Sequence, residues 1–301
     1  MRLRVIHETT YHYTPAVKNA LHLAHLRPRS DGAQQLLSHT LQIEPKPLQC
    51  DVAEDVFGNT RACFSLPFTH ALLHVRAESL LETLAPPAPP PGPPWEAVRE
   101  SLRYRRGAPY ESAAEFAFPS PYVPRHDDFV AYARPSFAAG RPLMDAARDL
   151  MSRIHADFEY AAQATDASTP ALESLRLRRG VCQDFAHVMI GCLRGMGLAA
   201  RYVSGYLLTE PPPGQPRLVG ADASHAWVSV WLPGEPDGEW FGLDPTNDRA
   251  AGADYVTLAL GRDFSDVSPL RGVIHGGDHH VPHVAVTVEP VAGPVMVKNS
   301  L

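Results

Sequence analysis

Apolar and polar residues alternate along the first part of the chain. Leu3, Val5, Thr9, Tyr11 and Tyr13 fall on alternate positions, and later runs such as Leu72-Leu73-His74-Val75 are short and bounded by turn residues. Residues 1 to about 84 therefore read as β-strands. Gly58-Asn59, between Val52–Phe57 and Arg61–Leu66, marks a hairpin turn, and a small β-sandwich is expected. From about 125 the period changes to three and four, with Leu143, Ala146, Ala147, Leu150, Met151 and Ile154 on one helical face. Thr169-Pro170 starts a second helix and Arg178-Arg179-Gly180 ends it. A third begins at once near Val181, with Phe185, Val188, Met189, Cys192 and Met196 inward and Gly195 and Gly197 as its stop. Strands follow at 200–208, 223–232, 239–244 and 283–288. Helices followed by antiparallel strands give an α+β class.

Composition adds one break in this pattern. Seven prolines fall between Pro86 and Pro94, a stretch that donates no ladder hydrogen bonds and favours extended polyproline conformation. The expected organisation is a β-rich domain over 1–85, a proline-rich connector over 86–124 and a helix-and-strand unit with C-terminal strands over 125–301. If the run Pro86–Pro94 only connects, a Gly/Ser replacement leaves turnover and stability unchanged. The formal net charge of −6 offers no general attraction to phosphate backbones or anionic lipid, and no apolar run approaches a membrane span. Neither nucleic acid nor membrane is an expected partner. The charged start, Met1-Arg2-Leu3-Arg4, lacks the apolar core of a signal peptide, and a cytoplasmic location is expected.

Four cysteines, Cys50, Cys63, Cys182 and Cys192, are too few and too scattered for a disulfide framework or a CxxC metal site. Cys182 follows a glycine turn in the first turn of a helix. There the free backbone N–H groups and the positive dipole end favour thiolate, as a nucleophile requires. Cys192, on the apolar face, reads as a small core hydrophobe. A base for Cys182 must come from elsewhere, because His187, five residues on, projects from another face of the same helix. Strand 224–231 puts His225, Trp227, Ser229 and Trp231 on one face and Ala226, Val228 and Val230 on the other. With Leu232 opposite Asp237 across a hairpin, His225 faces Asp244, close enough for a carboxylate to fix the imidazole tautomer, and a two-residue slip puts Thr246 there instead.

Four segments in this order, Gly180-Val181-Cys182-Gln183-Asp184-Phe185-Ala186-His187, Ala200-Arg201-Tyr202-Val203-Ser204-Gly205-Tyr206, His225-Ala226-Trp227-Val228 and Leu243-Asp244-Pro245-Thr246-Asn247, resemble the bacterial transglutaminase-like cysteine peptidase family. The N-terminal segment, with His22-Leu23-Ala24-His25-Leu26-Arg27-Pro28-Arg29, is similar to the β-rich region preceding the core in that family. The resemblance implies a papain-like transglutaminase core with Cys182 as nucleophile, His225 as base and Asp244 as orienter. It implies a peptide or protein amide as substrate, and a thioester that either water or an amine resolves. Hydrolysis leads, acyl transfer to an amine is the alternative, and a catalytically idle binding module is the reading from another class. The Cys182 backbone N–H is expected to hold the oxyanion, with Tyr160, Gln183, Tyr206 and Trp227 around the cleft. No cofactor is implied. His275, His279, His280 and His283 are spaced like metal ligands, but Gly276-Gly277 and Pro282 exclude the helix that would aim them together, so no metal site is expected.

Overall fold

The computed structural model describes residues 1–107, 110–161, 164–166, 168–209, 224–234, 238–278 and 281–291. Five strands come first: β1 (Arg2–Ala24), β2 (Gln34–Glu44), β3 (Gln49–Glu54), β4 (Thr60–Leu66) and β5 (His70–Thr83). Helices α1 (Trp95–Ser101), α2 (Asp127–Ala133) and α3 (Leu143–Asp157) follow. Then come β6 (Glu159–Tyr160), α4 (Ala171–Leu177), β7 (Arg179–Gly180) and α5 (Cys182–Gly195). Strands β8 (Ala200–Leu207), β9 (Ser224–Leu232), β10 (Glu239–Asp244), β11 (Arg249–Ala250) and β12 (Tyr255–Gly261) form the core sheet. A short helix α6 (Phe264–Val267) and strands β13 (Leu270–Gly276) and β14 (His283–Pro290) end the described fold.

The N-terminal strands form one antiparallel sheet around the long β1, whose first half pairs with β5 and β14 and whose second half pairs with β4 and β13. Leu73, Val75 and Ala77 of β5 share a core with Ala62, Phe64 and Leu66 of β4; in place of the two sheets of the sandwich foreseen there is a single sheet, because β1 is long enough to pair with both groups of strands. The hairpin around Gly58-Asn59 joins β3 to β4. β13 and β14, expected in the unit over 125–301, belong instead to this sheet. Val284, Val286 and Val288 alternate as foreseen, but Val286 and Val288 pack with Leu3, Val5 and Leu81.

The core sheet runs β11-β10-β9-β8-β12, antiparallel throughout, with α5 on one face. Ala226, Val228, Val230 and Leu232 of β9 pack with Phe185, Val188, Met189 and Cys192 of α5, and α2 lies so close behind α5 that a Cβ on Gly191 would stand 2.8 Å from the Phe129 ring. The edge strand β12 is covered by side-chain amides from the N-terminal sheet. Gln34 donates to and accepts from Thr257, both at 2.8 Å, and Asn59 does the same to Leu260 at 2.7 and 2.8 Å. These bonds satisfy backbone groups that an open edge would expose.

The proline run is not a free connector. Pro91 and Pro93 carbonyls accept the Met144 and Leu143 N–H groups at 3.0 and 2.9 Å, capping the start of α3, and Pro89 accepts from Arg148 at 2.9 Å. A Cβ on Gly92 would lie 2.4 Å from Leu232 Cδ1, so the strap lies against β9. The stretch after it is built into the core through Trp95 and Val98. Replacing Pro86–Pro94 with Gly/Ser of equal length is expected to cost at least about 2 kcal/mol, because each lost proline adds freedom to the unfolded chain. The thermal midpoint should fall by roughly 3 °C or more in a melting scan, and an unchanged midpoint would show that the strap contributes nothing.

Candidate active site

The start of α5 is fixed by the buried Asp184 carboxylate. It accepts the Val181 N–H at 2.8 Å, the Thr165 hydroxyl at 2.6 Å and the Ser174 hydroxyl at 2.7 Å. Gly180 is required by the close approach, since a Cβ there would stand 2.4 Å from Asp184 Oδ2. Cys182, partly exposed, is the first residue of this helix, where its N–H has no acceptor from the helix itself.

His225 lies at the start of β9 with its side chain 10% exposed, and its Nε2 is 2.7 Å from Asp244 Oδ2. Cys182 stands near enough for its sulfur to act on the imidazole together with Asp244. Burial alone would lower the His225 pKa, but the hydrogen bonds and charges of Asp244 and Cys182 outweigh it and raise it to about 9. Asp244 is fully buried. Burial pushes its carboxyl up, and the opposing bond and charge of His225, with the donors Asn247 and Tyr255, hold it below the usual carboxylate range.

The contact between His225 and Asp244 is made in a different register from the one foreseen. Glu239 pairs with Leu232 and Leu243 with Val228, so the ladder is displaced by two residues and its extension would put Thr246 opposite His225. Pairing with β9 ends at Leu243, and a turn after Asp244 folds Thr246 and Asn247 back so that their N–H groups reach Asp244 Oδ1 at 2.8 and 3.3 Å. The carboxylate therefore meets His225 on the diagonal. Asn247 Nδ2 and the Tyr255 hydroxyl donate to Oδ2 at 2.6 and 2.7 Å. Neither had an expected role, although a side-chain amide three residues beyond a strand-end aspartate is a recognisable turn signal. Tyr255, eleven residues away on β12, had no local signal.

Tyr160 comes beside Cys182 because the parallel bridge β6–β7 sets it against Gly180. Its ring meets Phe185 edge-on at 6.3 Å, and burial, then the Cys182 charge, push its phenol pKa up. Gln183 is buried directly after the cysteine. Trp227 stacks 6.0 Å from His225 and meets Tyr255 edge-to-face at 5.2 Å, so it supports the imidazole. Tyr206 does not line this site. It is buried in the seam with the N-terminal sheet, 2.9 Å from His7 Nδ1, because its position on β8 points at β1.

His187 lies apart, fully buried between Tyr122 and Tyr202, accepting the Phe264 N–H at 3.1 Å, and burial lowers its pKa to about 4. Cys192 is buried and its thiol is pushed well up. Of the four C-terminal histidines, His279 and His280 lie outside the described residues; His275 and His283 stand on β13 and β14.

Two family models match the chain: the bacterial transglutaminase-like N-terminal region over residues 3–82, and the transglutaminase-like superfamily over residues 130–245. An uncharacterized protein of Mycobacterium tuberculosis H37Rv is 41% identical over 98% of this chain and 95% of its own length. One from Mycobacterium leprae is 30% identical over 91% and 94%. A protein-glutamine gamma-glutamyltransferase of Pseudomonas aeruginosa is 33% identical over 31% of this chain and 14% of its own. The crystal structure of a candidate cysteine protease from Cytophaga hutchinsonii superposes with a TM-score of 0.72 at 18% identity, over 97% of this chain and 92% of that one, and so shares its fold. With its N-terminal β-rich sheet and its helix-on-sheet core, the chain belongs to the transglutaminase-like superfamily.

Proposed function

We propose that the protein is a thiol-dependent amidohydrolase acting on peptide or protein amides through Cys182, His225 and Asp244. The observation that carries this reading is the buried His225–Asp244 contact of 2.7 Å, on an imidazole near enough to Cys182 for the sulfur to raise its pKa. The Cys182 thiolate attacks the amide carbonyl, forming the C–S bond and an oxyanion. The oxyanion is held by the Cys182 N–H, with Tyr160 the side chain we assign as second donor. Collapse breaks the C–N bond as His225 gives its proton to the departing amine, leaving a thioester. His225 then takes a proton from water, the hydroxide attacks the thioester carbonyl, and the C–S bond breaks to release a carboxylic acid and restore the Cys182 thiolate beside the protonated His225.

The second reading, transfer of the acyl group to an amine, draws on the local likeness to the gamma-glutamyltransferase. Both readings share the thioester and part only at its acceptor. Peptide amides should be supplied with water alone and with a labelled primary amine in parallel. Release of free acid with negligible amine incorporation supports hydrolysis; predominant incorporation supports transfer; neither product from a broad amide panel overturns both.

An imidazolium titrating at about 9 sets the alkaline limit. The catalytically competent form needs the His225 proton for the leaving amine, so kcat/KM should decline as pH rises through about 9. Stability should follow the same direction. A histidine whose pKa is raised on folding stabilises fully below the unfolded value near ~6.5 and loses that contribution as pH rises through the folded one. Thermal melts from pH 6 to 10 should show the decline in wild type, and a flat profile would refute the pairing. All four cysteines are free, and a reactive thiol persists in a reducing compartment, so we also propose a cytoplasmic location, which recovery of the native protein outside the cytoplasmic fraction would overturn.

A further inference from the structure

Behind the triad, on the side of the core sheet away from α5, lies a cleft of about 770 Å³ between the N-terminal sheet, the proline strap and β8–β12. Its size is that of a small-molecule or short-peptide site. Trp227, Trp240, Val203 and Leu84 give it apolar walls. Arg201 also lines it, a cation on a central strand. Its guanidinium lies 4.1 Å over the Trp240 ring, its Nε is buried, and among the described residues it has no hydrogen bond or ion pair.

That arrangement is costly for a cation unless something completes it. A guanidinium presents five donors in a planar fork suited to a carboxylate, and a donor buried without a partner loses its hydration with nothing in return. Two carboxylates line the cleft with it, Asp31 and Glu239, and neither pairs with Arg201 among the described residues; Asp31 is held by Arg29 at 3.3 Å. Arg148, the second cation of the lining, spends one nitrogen on the Pro89 carbonyl. Glu239 is exposed at the surface. Burial, then the charge of Arg29, lowers the Arg201 pKa to about 9, against a partial offset from Asp31, so the surroundings do not neutralise it.

We propose that this cleft is a second, non-catalytic binding site for a carboxylate carried on a flat apolar body, with the carboxylate on Arg201 and the body against Trp240 and Trp227. The proposal does not depend on the reaction at Cys182, because the site is read by binding alone. The probe is 2-naphthoate, with 2-naphthamide as its uncharged isostere, followed by calorimetry and by quenching of tryptophan fluorescence on the full chain and on Cys182→Ala. Saturable binding of naphthoate at one site is expected in both proteins, with naphthamide at least tenfold weaker. Arg201→Gln should weaken naphthoate at least tenfold and leave naphthamide unchanged. Arg201→Lys, which keeps the charge but not the planar fork, should fall between, and it tests the site if the glutamine variant fails to fold. Naphthoate that does not bind, that binds no better than its amide, or that binds equally to a folded Arg201 variant would overturn the proposal.

Discussion

Cys182→Ala is expected to remove amide turnover altogether, a fall on the order of 10⁵-fold or more, with the fold intact. Among the described residues Cys182 is the one thiol acting on His225, and the donors that would hold the proposed oxyanion have no bond to stabilise without a nucleophile. The lost side chain is partly exposed and small, so the stability change should stay within about 1 kcal/mol. Thiol labelling gives an independent readout. In the native protein iodoacetamide should alkylate Cys182 ahead of the others, since burial pushes the thiols of Cys192 and, more weakly, Cys50 up. Appreciable turnover in a folded alanine variant, or faster labelling of Cys50, Cys63 or Cys192, would remove Cys182 from its assigned role.

Much of this site was legible because its parts rest on local rules. A glycine turn before a helix places Cys182 at the dipole end whatever the tertiary context, and strict alternation fixes which face of β9 carries His225. The pairing of His225 with Asp244 was reached through the wrong register. The hairpin geometry depended on a loop whose length the sequence did not fix, and the carboxylate meets the imidazole only because the strand ends and turns at Asp244. Tyr255 was invisible for a different reason. It comes from β12, which joins the sheet beside β8, and no local pattern states which strand will lie next to which.

The same distinction explains the proline run and the C-terminal strands. Proline chemistry correctly gives an extended segment, but the carbonyls of Pro89, Pro91 and Pro93 remain acceptors, and the start of α3 supplies donors for two of them. Alternation in Val284, Val286 and Val288 correctly gives a strand, with Val286 and Val288 buried and Val284 exposed. Its partner is β1, nearly the whole chain away. Tyr206 illustrates the limit on a single side chain: as a strand aromatic it could face either the cleft or the seam, and β1 decided the matter by offering His7.

Asp244→Asn is expected to lower turnover by roughly 10³- to 10⁴-fold, the effect of presenting an amide where a carboxylate fixes a catalytic imidazole. The reason lies in the donor count. Oδ1 accepts the Thr246 and Asn247 N–H groups, while Oδ2 accepts from His225, Asn247 and Tyr255. An amide has one oxygen. If it serves the two backbone donors, its NH₂ confronts Asn247 and Tyr255 and forces His225 into the wrong tautomer; if it serves His225, the backbone donors are orphaned. Either way one or more buried donors go unmatched, at about 1–3 kcal/mol each, so the thermal midpoint should drop as well. With the carboxylate charge gone, burial dominates at His225 and its pKa should fall from about 9, moving the alkaline limb of kcat/KM to lower pH. Two controls separate this from general damage. Tyr255→Phe removes one donor and leaves the charge, so it should cost far less, about tenfold. Thr246→Val should be nearly silent, because only the Thr246 backbone N–H reaches Asp244 and its buried hydroxyl has no hydrogen-bond partner among the described residues. A folded Asp244→Asn variant with wild-type turnover and an unmoved alkaline limb would show that the carboxylate does not orient His225.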